Sequence, residues 1–455
     1  MSYLRDTICA VSTPPGIGGI AVIRISGPAS FSITDKVCSQ DVISQSHMSM
    51  SFGKIFQEGE ILDEVIISKF EGPRSFTGED VIEISCHGSE YIQASVLKLL
   101  IEAGCRMASN GEFTKRAFLN GKLDLSQAEA VADLIASESE ASHRVAMQQM
   151  KGGVSNEISQ LRTKLMEFAS LLELELDFSE EDVEFADRED FTRLIKTILE
   201  KVDSLLDSFQ LGNVIKKGIP VAIIGAPNSG KSTLLNALLN EERAIVSDIA
   251  GTTRDAIEDT VNIGGFVFRF IDTAGVRSTK DAIERKGISI ALEKAKYAAI
   301  VIKLMDGRQE ILDPEERLYT NYFEQVDWRD DDRTITVLNK IDILGAEQNF
   351  PSEWIGISAL NREGLDELKD RLLEKLNLEG LEQNNIILTS SRHIDALSKV
   401  KDSLQIVLDS MSMNIPSDLI AIDVKKALHY LGEVTGEVTT DDILGTIFSK
   451  FCIGK

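Results

Sequence analysis

The chain is poor in cysteine and in positive charge, and it has no long apolar runs or internal repeats. Each shortage closes off a class of protein. The five cysteines, Cys9, Cys38, Cys86, Cys105 and Cys452, are odd in number and form no close pairs. That argues against a disulfide framework and for a reducing compartment, so a cytoplasmic location is expected. A formal net charge of −25 over 455 residues excludes a broad basic footprint for nucleic acid. Any RNA contact must be local or come through a partner. No stretch reaches the roughly 18 apolar residues that a membrane span needs. Met1-Ser2-Tyr3-Leu4-Arg5-Asp6 leads into no apolar signal core. What is present, 43% hydrophobic residues, suffices for real cores, and the length predicts two or three domains.

The strongest positive signal is Gly225-Ala226-Pro227-Asn228-Ser229-Gly230-Lys231-Ser232, a G-x-x-x-x-G-K-[ST] phosphate loop. The apolar run Pro220 to Ile224 precedes it, and the helical pattern from Thr233 to Leu239 follows. Strand, Gly-rich turn and helix together define a site at which backbone N–H groups surround nucleotide phosphates. Lys231 would reach the terminal phosphates and the Ser232 hydroxyl would hold Mg²⁺. Asp272-Thr273-Ala274-Gly275 ends a second β-type run, Phe266 to Ile271, where an acid can hold the magnesium shell. Asn339-Lys340-Ile341-Asp342 follows a third run, Thr334 to Leu338. A carboxylate at Asp342 can accept from N1–H and the exocyclic amine of guanine, a donor pair that adenine lacks. Backbone N–H groups of Ser358-Ala359-Leu360 would support the guanine carbonyl. The four elements in this order specify GTP. Ser247-Asp248-Ile249-Ala250-Gly251-Thr252-Thr253 occupies the place of a switch loop, with Thr253 able to complete the magnesium shell.

Two expected catalytic groups are missing. Ras-like enzymes place a water-orienting Gln directly after D-x-x-G, but here the residue is Val276. No arginine finger can be assigned. Glu284 is the nearest suitable acid in the second switch region; by spacing alone it reads more readily as a solvated helix residue.

The organisation is multidomain, α/β plus all-α. Residues 1–119 alternate short β-type runs with turns and one helix near Ile92 to Ala103, as a small α/β domain does. Residues 120–217 are helical, with Leu125, Ala128, Val131, Ala132 and Ile135 on one face. Residues 218–379 form the GTPase domain, and residues 380–455 are helical again. Helices on both sides predict a GTPase domain inserted into one helical domain. The acidic stretch Glu173 to Asp190 reads as a solvated bend or as a contact for a basic partner. Thr440-Asp441-Asp442 caps a final helix whose apolar face uses Ile443, Ile447 and Phe451. Cys452-Ile453-Gly454-Lys455 follows, and its thiol reads either as an ordinary helix-end cysteine or as a reactive nucleophile.

Taken together, the chain resembles the MnmE (TrmE) family of tRNA-modification GTPases. The resemblance rests on Thr13-Pro14-Pro15-Gly16, Ser75-Phe76-Thr77-Gly78-Glu79-Asp80 and the long run from Gly111-Glu112-Phe113 through Lys122-Leu123-Asp124 to Ala130. Gly251-Thr252-Thr253-Arg254-Asp255, Asp272 to Gly275 and the final Cys-x-Gly-Lys complete it. The resemblance implies an N-terminal α/β domain similar to folate-binding domains, a central helical domain and an inserted Ras-like GTPase domain. It also implies a homodimer built through the N-terminal domain. The implied partner is the flavoprotein MnmG (GidA), in a heterotetramer that brings FAD to the reaction. Together they would add an aminomethyl or carboxymethylaminomethyl group to C5 of the wobble uridine in certain tRNAs. The one-carbon unit would come from a tetrahydrofolate derivative, 5-formyl or 5,10-methylene. By position, Arg24, Glu83, Lys122 and Lys455 would line the folate pocket, the cations suiting the folate glutamate and the carboxylate the pterin N–H edge. The family resembles potassium-activated GTPases, so K⁺ would bind Asn228 and the carbonyls of Ser247, Ile249 and Thr252. Glu284 then matches the water-orienting residue, and Cys452 becomes a participant in the modification step. The competing readings are a ribosome-assembly GTPase and a slow signalling switch. The segment after residue 383 lacks the G-x-x-G of a KH domain, which counts against the first.

Overall fold

The computed structural model describes residues 6–177, 188–242, 259–271, 295–308, 331–344, 350–376, 386–413 and 415–455. The chain forms two compact units. One comprises Met1–Ile135, Met147–Val202 and Asp395–Lys455; the other comprises Ala136–Ala146 and Asp203–Ile394.

The first unit begins with a six-stranded sheet. Its strands are β1 (Ile8–Val11), β2 (Gly18–Ser26), β3 (Ser49–Gln57), β4 (Glu60–Phe70), β5 (Val81–Gly88) and β6 (Arg106–Met107), in the order β3-β4-β5-β2-β1-β6. All neighbours are antiparallel except β1 and β6. Side chains alternate between the faces of a strand. Ile23, Ile25, Ile67, Ile82 and Ile84 therefore share one face, which α1 (Ser30–Val37) and α2 (Glu90–Glu102) cover with Ile33, Val96 and Leu100. On the opposite face Ile8 and Ala10 meet Phe76 and Phe113, the latter from α3 (Glu112–Leu119). The sequence reading captured the runs of β2, β4 and β5 but not β1 or β3. In β3 the outward residues are apolar, Met50 and Phe52 being 71% and 59% exposed, so the usual polar-out signal is inverted.

Four helices follow: α4 (Leu125–Ile135), α5 (Glu140–Met150), α6 (Gly153–Asp177) and α7 (Arg188–Lys217). In the second unit β7 (Ile219–Ile224), α8 (Lys231–Glu242), β8 (Asp259–Ile263), β9 (Phe266–Phe270), β10 (Ile300–Asp306), β11 (Thr334–Asn339), β12 (Ile355–Ile357) and α9 (Leu365–Glu374) build a second sheet and its cover. Its order is β12-β11-β10-β7-β9-β8, parallel throughout except for the β8–β9 pair. Val221, Phe268, Ile302 and Val337 form a core with Leu234 and Leu238 of α8 and Leu368 of α9. Ala222, Ile224, Val301 and Leu338 are buried on the other face. After β7 the chain goes to β9 on one side and later to β10 on the other. Such a reversal opens a crevice at the carboxyl ends of the strands, where α/β sheets bind ligands.

The chain then returns to the first unit through α10 (Ser391–Ser412), α11 (Ser417–Thr435) and α12 (Asp441–Phe448). α11 packs along α6, and the Lys425–Glu173 and Arg162–Glu437 pairs flank that seam. The Thr440 hydroxyl accepts from Ile443 N–H and caps α12, a contact worth about 1 kcal/mol. Leu444, Ile447, Phe448 and Phe451 pack on Leu125 and Ala128 of α4, with Ile443 at the margin. Among the described residues no helix is long and apolar enough to cross a membrane.

Candidate functional site

The turn between β7 and α8 has the shape its sequence predicts. Gly230 has φ +98° and lies against the Asn339 side chain, so a Cβ there would collide with the Asn339 amide. A Cβ at Gly225 would run into the Leu304 carbonyl. Asn228 takes the left-handed conformation (φ +63°) without being glycine. The Ser229 hydroxyl is buried with no hydrogen-bond partner among the described residues, a polar group suited to an anion's oxygens. Lys231 Nζ donates to the Gly225 and Ala226 carbonyls at 2.8 Å each. α8 starts at Lys231, so the N–H groups of Lys231, Ser232 and Thr233 belong to its first turn, which has no intrahelical acceptors. Loop, lysine and helix N-terminus together fit a polyphosphate.

The base-reading element sits beside this loop. Asn339 ends β11, buried, and its Nδ2 donates to the Ser229 carbonyl at 2.8 Å. Lys340, also left-handed (φ +66°), donates from Nζ to the Asn228 carbonyl at 2.8 Å and to Asp306 Oδ2 at 2.5 Å. Asp342 lies in a short 3₁₀ turn, exposed, and the Ser358 hydroxyl donates to its Oδ1 at 2.6 Å. Ser358 N–H donates to Glu363 O and Ala359 N–H to Asn339 Oδ1, both at 3.0 Å. These two N–H groups brace the element, and Leu360 beside them is 78% exposed. Ser247, Asp248, Ile249, Ala250, Gly251, Thr252, Thr253, Asp272, Thr273, Ala274, Gly275 and Glu284 lie outside the described residues.

In the first unit, Arg24 of β2 and Glu83 of β5 face each other across paired strands. Arg24 Nε donates to Glu83 Oε1 at 2.9 Å, and Nη2 lies 2.8 Å from the same oxygen in the ion pair. The guanidinium also lies 5.0 Å from the Phe76 ring centre and 5.7 Å from that of Phe113, geometry that favours a cation over an aromatic face. Arg24 and Glu83, both expected at the folate pocket, thus form one ion pair. Lys122 Nζ donates to Pro73 O at 3.0 Å, on the loop that carries Phe76. Lys455 follows a docked segment. Gly111 N–H donates to Cys452 O, Asn110 bridges Ile453, and the Ser12 hydroxyl donates to Gly454 O at 3.1 Å. Gly454 (φ +96°) passes so close to Val11 O that no side chain fits. β1, which carries Val11, pairs with β2 beside Arg24. Cys452 is exposed, while the other four thiols are buried. Phe76 and Phe113 both lie inside the quoted motifs, an aromatic within each Gly- and acid-rich string.

Two family models match the chain: the GTP-binding protein TrmE N-terminus over residues 7–122, and the MnmE helical domain over residues 125–452. The tRNA modification GTPase MnmE of Flavobacterium johnsoniae is 53% identical over 99% of both chains. The proteins of the same name from Flavobacterium psychrophilum and Cytophaga hutchinsonii are each 52% identical over 99% of this chain. Among solved structures, the G domain of the T. maritima FeoB iron transporter aligns with 34% of this chain and 98% of its own, at 26% identity and a TM-score of 0.25. The two family models and the full-length relatives agree from the N-terminal sheet to the final helix: the chain belongs to the MnmE family of tRNA modification GTPases.

Proposed function

We propose that this GTP hydrolase acts with the flavoprotein MnmG to install an aminomethyl-type group at C5 of the wobble uridine, with a tetrahydrofolate derivative as the one-carbon source. The observation that carries this reading is the docking of residues 452–454 on the unit that holds the Arg24–Glu83 pair. That docking puts an exposed thiol and Lys455 in the same unit as Lys122 and as the Glu83 carboxylate, whose partner Arg24 lies against two aromatic rings. Glu83, oriented by Arg24, would accept from the pterin N–H edge. Lys122 and Lys455 would meet the glutamate carboxylates, and Cys452 would take part in the transfer.

In the GTPase unit, residues 228–233, 247–253, 272–275, 339–342 and 358–360 would form the GTP site. Ser232 and Thr253 would hold Mg²⁺. Asn228 and the carbonyls of Ser247, Ile249 and Thr252 would hold K⁺, which supplies the positive charge of an arginine finger. Glu284 would orient the attacking water. Pairing of two N-terminal domains is supported by Met50, Phe52 and Ile66, cross-strand neighbours that leave an apolar patch open on β3 and β4. FAD would enter only with MnmG, and the place of action would be the cytoplasm. Domain limits near residues 119, 217 and 379 remain part of this reading.

The test is mass spectrometry of bulk-tRNA nucleosides from cells lacking the gene, complemented with the intact chain or with Cys452→Ser. The expected result is loss of 5-aminomethyl-type wobble uridines, restored by the intact chain alone. An unchanged profile in the deletion would remove the reading and leave ribosome assembly as the leading one. Restoration by Cys452→Ser would remove only the role of the thiol.

A further inference from the structure

We infer that Asp306 is a positioning residue of the nucleotide site, acting through Lys340 on the phosphate loop at Asn228. The inference rests on the reading of residues 225–232 as the GTP loop.

Asp306 is the last residue of β10, and its side chain is 6% exposed. It belongs to none of the nucleotide motifs. Its two carboxylate oxygens have separate partners. Oδ1 accepts Arg308 N–H at 3.1 Å and so shapes the exit from the strand. Oδ2 takes the Lys340 ammonium at 2.5 Å. The same ammonium reaches the Asn228 carbonyl at 2.8 Å. One buried acid thereby holds a lysine across the phosphate loop.

The sheet order explains why the acid sits there. β10 lies between β7, which leads into the phosphate loop, and β11, which leads into the base-reading turn. The carboxyl end of the middle strand is therefore adjacent to both loops. A lysine side chain is flexible and strongly hydrated, so the carbonyl of the exposed Asn228 alone holds it poorly. A buried carboxylate fixes it with a charge-assisted bond. The two residues joined through this lysine, Asn228 and Lys340, are both non-glycine residues in left-handed backbone. Such backbone persists where surrounding contacts over-determine it. The second tie between the loops, Asn339 Nδ2 to Ser229 O, does not involve Asp306. Loss of the acid should therefore loosen the loop at Asn228 without separating the two elements.

The test is equilibrium binding of a fluorescent GDP to the full-length chain carrying Asp306→Asn, Lys340→Met, both changes, or Lys231→Ala. Asp306→Asn, which keeps the side-chain shape, should raise the dissociation constant about tenfold, the scale of one charge-assisted hydrogen bond. The KM for GTP should rise in step, with kcat at saturation less affected. Lys340→Met should weaken binding at least as much, and the double variant should bind no worse than Lys340→Met alone. Unchanged affinity in Asp306→Asn, or a double variant whose loss is the product of the single losses, would overturn the inference. A simple structural defect would give that second pattern. Lys231→Ala separates the two claims: if it binds GDP as the parent does, the loop reading itself fails.

Discussion

At the scale of single residues, the most telling group is a charged one that the nucleotide chemistry does not use. Arg116 is 2% exposed and is shared by Asp6, Glu79 and Glu112, while Arg106 pairs with Asp6 and Glu112. Burial pushes the Glu112 carboxyl up, but the Arg106 guanidinium, the Ser109 N–H and Arg116 outweigh it and hold the group down at about 2. Its contribution to stability is then fully present above the ordinary value of 4.5 and is lost as the pH falls toward 2. Glu112→Gln should cost about 3 kcal/mol near neutral pH, because it strips a buried guanidinium of a charged partner. It should also flatten the acid limb of a urea-unfolding series between those two pH values. The thiols make a second case. Burial pushes Cys38 up to about 12 and Cys86 to about 11, and Cys105 is raised by its bond to Cys9 and by burial. Only a thiolate reacts quickly. The bond to Cys105 holds the Cys9 thiol down, but Cys9 is fully buried and Cys452 alone of the five is exposed. The native chain should therefore show one fast thiol toward Ellman's reagent at pH 8, absent in Cys452→Ser, with the other four appearing on unfolding. Asn228, Lys231, Asn339 and Asp342 were legible because a loop motif is local in sequence. Arg24 and Glu83 were named through the resemblance, but their pairing across 59 positions was not legible, nor was Asp306, which belongs to no motif.

At the scale of elements, alternation and helical period identified strands such as β2, β4 and β5 and helices such as α2 and α4, while β3 escaped because its outward residues are apolar. β10 escaped because it is a nearly continuous apolar run buried on both faces, which periodicity cannot tell from a helix segment. The last helix was legible through Thr440, but its docking face was only half read. Leu444 and Phe448 join Ile447 and Phe451 in the buried cluster, whereas Ile443 lies at its edge. Phe448 is 2% exposed against α4. Phe448→Ala should therefore destabilise the first unit by about 3–5 kcal/mol. In calorimetry of the GDP-bound chain, the transition that GDP raises should stay in place while the other moves down.

At the scale of the molecule, the helical stretches on both sides of the phosphate loop pointed to an inserted GTPase domain. Sequence pattern did not show that residues 136–146 join the second unit. There Ala141 N–H donates to Gly265 O, and Ala141 and Val145 pack on Ile215 and Ile387. A short amphipathic helix carries no mark of which core it will enter. The open patch on β3 and β4 belongs to this scale too. Phe52→Glu should turn a dimer into a monomer in light scattering while leaving GDP affinity unchanged. A dimer that survives the charge would place the pairing surface elsewhere.

The cluster in which Leu125 and Ala128 meet Leu444, Phe448 and Phe451 also sets a timetable for biosynthesis. About 300 residues separate its two halves, and at about 5–20 residues per second their synthesis takes on the order of 15–60 s. Through that interval the growing polypeptide carries the apolar face of α4 uncovered, beside an N-terminal sheet whose own strands are already complete. The intervening GTPase unit emerges and can fold meanwhile, since its sheet uses only residues between Ile219 and Ile357. The waiting face of α4 is then covered only once α12 has been made.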